Sequence, residues 1–370
     1  MMTSFLLSLL VLSVTYNQTE PNPAQEPVRI AVAGLSHGHV NWVFAENITS
    51  DIEIVGFYEP NRELWERYKN RHNLDESLYF SNLDAMLDET GPEAVTAFGS
   101  TFDHLKVTQA AAPRGIHIMV EKPLAVNMEH AEEMKRLAER YSVHLITNYE
   151  TTWYASNHAA YNMFRNGNDY GEIRKVVVHD GHMGPKEIGV STEFLEWLID
   201  PVLNGGGAIM DFGCYGANLI TWLLDGQEPE SVTAVTQTHK PHIYAEVDDE
   251  ATIILTYPGV QGVIQASWNW PYHRKDMHVY GETGFVYAQT RNTLHILENH
   301  RYPGSQSVLE PLEYPFNDPF TYFAGVVRGT ISVSDKDLSS LANNITVMKI
   351  LDAARESAKT GRTVYLNGTE

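Results

Sequence analysis

Cysteine is almost absent: the 370 residues contain one, Cys214. A single thiol excludes an intrachain disulfide and leaves no cysteine-based zinc site. Its apolar neighbours Ile209 and Phe212 mark it as a small buried residue rather than a nucleophile. Basic residues are scarce as well, 26 Lys+Arg against 47 Asp+Glu, for a net charge of −21. With no Lys/Arg-rich run, the chain repels a phosphate backbone, which argues against nucleic acid as a partner. No apolar run is long enough to span a bilayer as a helix, so no stable membrane insertion is expected. The apolar run at the start, Ser4–Val14, leads into the polar, proline-containing stretch Asn17–Pro27. Residues 1–10 hold no Lys or Arg, and no lipidation cysteine follows. Run and linker together look like a secretory leader, so export to the periplasm is expected, or a cytoplasmic protein if the start is mis-assigned.

What the chain does have is apolar bulk, 43% hydrophobic residues with 7 Trp, 19 Tyr and 13 Phe, enough for more than one core. From Val28 onward, short β-branched runs alternate with helical stretches. Val28–Ala33, Ile52–Tyr58, Ala94–Phe98, His117–Val120 and Val143–Thr147 read as strands. Helices are expected from near His39, over Asn61–Asn70 with Asn61 as cap, over Phe102–Ala112, and over Met128–Tyr141. That rhythm implies a parallel sheet with crossover helices. After residue 150 it changes. Helices are expected over His158–Asn166, Glu193–Asp200 and Asp211–Leu224, a strand over Ile173–His182, and a run of strands from Ser231 to Leu297. A last helix, Ser340–Lys359, stops before Gly361. The expected fold is α/β: a leader and linker (1–27), an N-terminal Rossmann dinucleotide-binding domain (28–150), and a C-terminal α+β domain (151–370) with a large open, mainly antiparallel sheet.

Gly34-Leu-Ser-His-Gly-His39 is an altered G-x-G-x-x-G turn. Gly34 stands where the tight turn needs a glycine, Ser36 where backbone meets pyrophosphate, and Gly38 one place early for the helix-packing glycine. A strand before and a helix after would let amides face an anion. Glu59, at the end of the second strand, suits ribose hydroxyls and favours NAD over NADP. Arg62 nearby keeps NADP open.

Strand four runs into Glu121-Lys122-Pro123, and Asp211-x-Gly213-x-Tyr215 follows about 90 residues later. With VRIAVAGLSHGHV, HIMVEKPLA, GGGAIMDFGCYGANLITWLL and DAARESAKTGRTVYL, the chain resembles the Gfo/Idh/MocA oxidoreductases over residues 28–366. The resemblance implies that Gly34, Ser36, His37 and Gly38 meet the pyrophosphate and Glu59 the ribose. It places Ser100, Thr101 and His104 beside the nicotinamide, with Glu121 and Lys122. It makes Lys122, Asp211 and Tyr215 the catalytic group and implies a homo-oligomer, dimer or tetramer, paired through the open sheet.

Asp211 and Tyr215, spaced i, i+4, are expected on one face of one helix. Tyr215 would take or relay the proton, its pKa lowered by Lys122, while Asp211 orients sugar hydroxyls. Alternatively, Asp211 is a helix cap and Tyr215 a packed aromatic. Asn148, Glu150 and Trp153 after strand five, His179 and His182 on the next strand, and Trp268 and Arg274 in the run Trp268–Lys275 are the candidate substrate contacts. That run equally suits a hairpin edge with buried tryptophans. His37 with His39, and His179 with His182, have metal-ligand types, but the glycine turn argues against a shared face, and no metal is expected. The expected activity is NAD(P)-dependent hydride transfer with a sugar or sugar derivative. The alternatives are a redox-neutral glycoside hydrolase with tightly held NAD and a non-catalytic sugar-binding protein.

Overall fold

Residues 26–45, 51–167, 170–298 and 304–366 are described here, from a computed structural model. The leader expected over Ser4–Val14 lies outside them. Among the described residues no helix is long and apolar enough to cross a membrane.

The first sheet is wholly parallel. It contains β1 (Val28–Ala33), β2 (Ile52–Tyr58), β3 (Tyr79–Phe80), β4 (Ala94–Ala97), β5 (His117–Glu121) and β6 (Leu145–Asn148), in the order β3-β2-β1-β4-β5-β6. The order reverses between β1 and β4, so the carboxyl ends of β1, β4, β5 and β6 open on one crevice. The crossovers are α1 (Arg62–His72), α2 (Leu83–Thr90), α3 (Asp103–Ala111) and α4 (Met128–Tyr141). Asn61 caps α1 as expected, its side chain accepting from the Glu63 and Leu64 amides, and Asn73 closes the helix in the left-handed region at φ 51°. The helix expected after the glycine turn is instead a seven-residue 3-10 segment, Gly38–Phe44. His39, Val40, Trp42, Val43 and Phe44 are aromatic or β-branched, which disfavours a regular α-turn here, and the dipole of so short a segment is small.

The second sheet has nine strands: β7 (Ile173–Gly181), β8 (Ser231–Gln237), β9 (Glu250–Tyr257), β10 (Val260–Ser267), β11 (Arg274–Gly281), β12 (Gly284–Ala288), β13 (Thr293–Glu298), β14 (Ser305–Val308) and β15 (Val364–Tyr365). The order is β14-β13-β12-β11-β7-β10-β9-β8-β15, antiparallel except for β7 with β10. It is the large, mainly antiparallel sheet the sequence implied. The helices of this half are α5 (Ala155–Tyr161), α6 (Thr192–Leu198), α7 (Ala208–Asp211), α8 (Gly213–Leu223), α9 (Pro319–Val327) and α10 (Leu341–Thr360). α8 and α10 cover one face. α8 lies so close that a Cβ on Gly216 would sit 2.5 Å from Ile264. The other face is bare, with Val235, Ile254 and Tyr280 exposed. α9, which the sequence reading passed over, packs its Phe320 and Phe323 into the core of the first sheet.

The helix expected over Asp211–Leu224 is broken. Phe212, at φ −110° and ψ −29°, ends α7 and precedes α8, so Asp211 and Tyr215 stand on two short helices. Asp248 enforces the start of α7: its carboxylate accepts from the Gly207 amide at 2.9 Å and the Ile209 amide at 2.8 Å.

Candidate active site

The glycine turn tests whether this edge fits a dinucleotide. Gly34 has φ +88°, and a Cβ there would lie 2.6 Å from the Gly99 nitrogen. Only glycine permits that approach of the β1 and β4 loops. The Leu35 amide donates to Glu59 Oε2 at 2.8 Å and the His37 amide to the Phe98 carbonyl at 2.9 Å. Among the described residues no acceptor takes the Ser36 or Gly38 amide, which leaves both for an anion. Glu59 is fixed at both oxygens, since Asn61 donates to Oε1 at 2.8 Å, yet each carboxylate oxygen retains a lone pair for a ribose hydroxyl. These residues fit a dinucleotide. The roof is built from α6: Trp197 Nε1 donates to Ser36 Oγ at 3.1 Å, and the His37 ring stacks on Trp197 and meets Phe194 at a tilt.

Beyond the turn lies a cavity of about 840 Å³ between the crevice and the second sheet, lined in part by His37, Lys122, Glu150, His182, Asp211 and Tyr215. Lys122, just past β5, is ion-paired with Asp211 Oδ1 and donates to the Asp211 carbonyl at 3.1 Å, both side chains being buried. Trp268 Nε1 donates to Asp211 Oδ2 at 2.9 Å. Burial opposes both charges, but each holds the other: the Asp211 carboxyl lies below its usual value and the Lys122 ammonium above. Asp211 thus positions Lys122, and, as at Glu59, each of its oxygens keeps a lone pair on the cavity side for a hydroxyl.

Tyr215 accepts a hydrogen bond from Lys275 Nζ at 3.2 Å. Lys275 is ion-paired with Glu150, whose other oxygen accepts from the Tyr154 hydroxyl at 2.7 Å. The cation expected at this phenol was Lys122. Its ammonium is committed to Asp211 and lies 5.3 Å from the ring centre, against 4.4 Å for Lys275. Nor is the phenol acidic: burial first, then nearby carboxylates led by Glu150, push it well above the ordinary value. Tyr215 is therefore a phenol whose oxygen accepts a hydrogen bond from Lys275, leaving its own O–H to point elsewhere.

Two imidazoles are set in the same sense. Burial pushes His182 down to about 4 and His37 well below the ordinary value. His182 Nδ1 accepts from the Gly184 amide at 2.9 Å, and His37 Nδ1 from the His39 amide at 3.0 Å. Each neutral ring thus carries its proton on Nε2. Glu121 is buried. Desolvation raises its pKa, but His39, bonded at 2.9 Å, and the Asn148 amide, bonded at 2.7 Å, bring it to about 2.

Several expected contacts are not on the cavity wall. Trp268 is fully buried, its indole on Asp211, whereas Tyr272, His273 and Lys275 of the same run line the cavity. Asn148 is spent on Glu121 and Trp153, whose indole donates to it at 3.1 Å. His179 points to the bare face of the second sheet, because alternation along β7 sends Asp180 inward and His179 outward. Arg274 does line the cavity, and its guanidinium is held by Asp276. Ser100, Thr101 and His104 shape the β4 loop from within, bonded to Asp103, Asn204 and the Leu124 carbonyl.

The histidines do form groups: against the expectation from the glycine turn His37 and His39 come together, whereas His179 does not pair with His182. His37 and His39 have adjacent rings, 4.7 Å between centres, and join Glu121, while His179 joins Asp276 and His278. In the second group Arg274 already supplies the cation. The sequence reading missed Lys275, Tyr154, Asp248 and Asp180. Lys275 had a signal, its place in the aromatic and basic run. Asp180 had none: it is wholly buried under the site with no hydrogen-bond partner at either oxygen among the described residues, and burial drives its carboxyl well above the usual range.

Comparison with known proteins agrees with this geometry. Residues 28–149 match the profile of an oxidoreductase family with an NAD-binding Rossmann fold, and residues 159–287 match the GFO/IDH/MocA C-terminal domain. Trans-1,2-dihydrobenzene-1,2-diol dehydrogenase of Xenopus tropicalis is 21% identical over 314 residues, 82% of this chain and 89% of the relative. Aldose-aldose oxidoreductase of Caulobacter crescentus, solved with glycerol, superposes with a TM-score of 0.76 at 22% identity, covering 92% of this chain and 100% of that one. An inositol dehydrogenase homolog of Azotobacter vinelandii, solved with NAD+, gives 0.77 at 18% identity, covering 92% and 97%. At these identities the structures show a shared fold.

Proposed function

The chain belongs to the GFO/IDH/MocA family and is an oxidoreductase with an NAD-binding Rossmann domain; from that premise we propose that it transfers hydride between NAD and a hydroxyl of a sugar or sugar derivative. The observation that carries this reading is the Tyr215 hydroxyl beside Lys275, lining one cavity with Lys122 and Asp211 at the carboxyl edge of the first sheet. The bound nicotinamide supplies the hydride acceptor or donor. Lys122, steadied by Asp211, holds the reacting oxygen. In the reductive direction Tyr215 gives its proton to the carbonyl oxygen, and Lys275 stabilises the phenolate that remains. Oxidation runs through the same atoms, with the phenolate taking the proton back.

NAD is favoured over NADP. Glu59 is flanked by Asp103 and Glu193, which add to the effect of burial in raising its pKa. A 2′-phosphate would meet several carboxylates. Arg62 does not relieve them, since it pairs with Glu66 and Glu76. Export through the apolar leader and pairing of two chains over the bare sheet face complete the proposal.

The test uses purified protein mixed with sugars and aryl glycosides, with and without added NAD or NADP. Reduced nicotinamide and freed aryl group are followed together. Nicotinamide reduction matched to sugar oxidation supports the proposal, and faster reduction with NAD supports the cofactor choice. Aryl release without net reduction identifies a redox-neutral hydrolase, and neither signal identifies a binding protein. Mass measurement of secreted protein and light scattering test the leader and the pairing.

A further inference from the structure

The charges around the cavity do not cancel. Its lining includes three carboxylates, each already matched: Asp211 with Lys122, Glu150 with Lys275, and Asp276 with Arg274. A fourth basic residue, Arg291, lines the same cavity. Among the described residues it pairs with no carboxylate, and its guanidinium carbon lies 5.3 Å from the centre of the Tyr154 ring, itself part of the wall. The turn that carries Arg291 joins β12 to β13 and is tied down. The Ser156 amide donates to the Arg291 carbonyl at 3.1 Å, and the Ser156 hydroxyl donates to the Thr290 carbonyl. The backbone of the turn is thus fixed, while the Arg291 side chain is exposed and also borders a second cavity beside Trp42 and Asp318, so a solvent-facing cation with no carboxylate partner stands on the cavity wall in a chain of net charge −21.

Resting on the reading of this cavity as the sugar site, we propose that the sugar it takes bears a carboxylate, an aldonate or uronate, held by Arg291 while the reacting carbon faces Tyr215. A planar guanidinium matches a planar carboxylate through two parallel hydrogen bonds. One positive charge balances one negative charge. A phosphate dianion would be left under-compensated beside the carboxylates of Glu150, Asp211 and Asp276. A neutral sugar would leave the cation to solvent alone.

Isothermal titration of the purified full chain with glucuronate, galacturonate, glucose, galactose and glucose 6-phosphate tests this. At low salt at least one uronate binds about tenfold or more tightly than its parent aldose. The ratio shrinks with added salt and falls to about one in Arg291→Gln, while affinity for the aldose is unchanged. Equal binding of acid and aldose, a preference that survives in Arg291→Gln, a stronger preference for the phosphate, or no binding of either uronate would overturn it. Hydride transfer is read separately. Uronate binding without turnover removes the oxidoreductase reading and leaves the anion site, while equal turnover of neutral sugars and their acids does the reverse.

Discussion

Lys275 donates to the Tyr215 hydroxyl at 3.2 Å and at the same time pairs with Glu150. The two meet although 60 residues apart, because β11 runs antiparallel to β7 in the register Lys275 opposite Asp180, which sends Lys275 up toward α8. In the proposed reaction the phenol needs this ammonium whenever its oxygen carries charge. Lys275→Met is expected to slow hydride transfer about 10- to 100-fold, and Lys275→Arg to recover part of the loss. Tyr215→Phe is expected to slow it by about 10²-fold or more. NAD affinity, measured by fluorescence titration, stays within about twofold in all three. Turnover within a few fold of the parent in Tyr215→Phe removes that residue from the chemistry.

The buried pair Lys122–Asp211 is a stability feature as well as a site feature. Asp211→Ala leaves an ammonium buried without its counter-charge and is expected to cost about 3–5 kcal/mol, seen as a lower urea midpoint. Replacing both residues together, Lys122→Met with Asp211→Leu, is expected to cost less than the single change, because no charge is stranded. A double variant as unstable as Asp211→Ala would place the loss in packing around Trp268 instead.

Gly34 is expected to tolerate no side chain. In Gly34→Ala the methyl would press on the Gly99 backbone from a left-handed conformation. NAD binding should weaken by about tenfold or more, because the amides of Ser36 and Gly38 move with the turn. Gly91→Ala is the control. It shares a positive φ, 51°, but has open space around the added methyl, so it should lose a little stability and no NAD affinity.

The contributions of His182, Glu121 and Glu150 to stability should be lost on the acid side in two steps, against the opposite contributions of Asp180 and Asp248, whose carboxyl pKa values burial raises. The buried His182 ring is neutral down to about pH 4 in the folded chain, against an ordinary 6.5 when unfolded. From pH 6.5 down to about 4 the unfolded chain takes up a proton that the fold refuses, so this contribution declines. Glu121 and Glu150 then act from about 4.5 down to about 2. Their depressed pKa values stabilise the fold above that window, and the contribution is lost as they protonate. Urea midpoints at pH 7 and pH 4.5 check the first step. The difference between them should be smaller in His182→Gln by on the order of 2 kcal/mol in unfolding free energy. An unchanged difference would mean that His182 is not held neutral.

Most of the backbone was legible from local pattern. Val28–Ala33, Ile52–Tyr58 and Met128–Tyr141 stand in the structure with the limits read from the sequence. Burial on both faces makes parallel strands read as continuous apolar runs, and asparagine caps fix helix starts locally. The glycine turn and Glu59 were visible for the same reason, as short stretches read from their neighbours in the chain, whereas Lys122 and Asp211 were marked by the resemblance of their motifs to a family. What the sequence could not decide was which charge meets which. Lys122 faces Asp211 and not the Tyr215 oxygen; Lys275 takes that place; Trp268 turns inward; Asp248, from a distant loop, starts the helix that ends in Asp211. These pairings are set by strand register and by the break at Phe212, and a one-residue change in register would send Lys275 to the opposite face of the sheet. The sequence determined that this chain folds as an NAD-binding oxidoreductase; the tertiary structure alone decided which cation meets the phenol and which, among the described residues, has no carboxylate beside it.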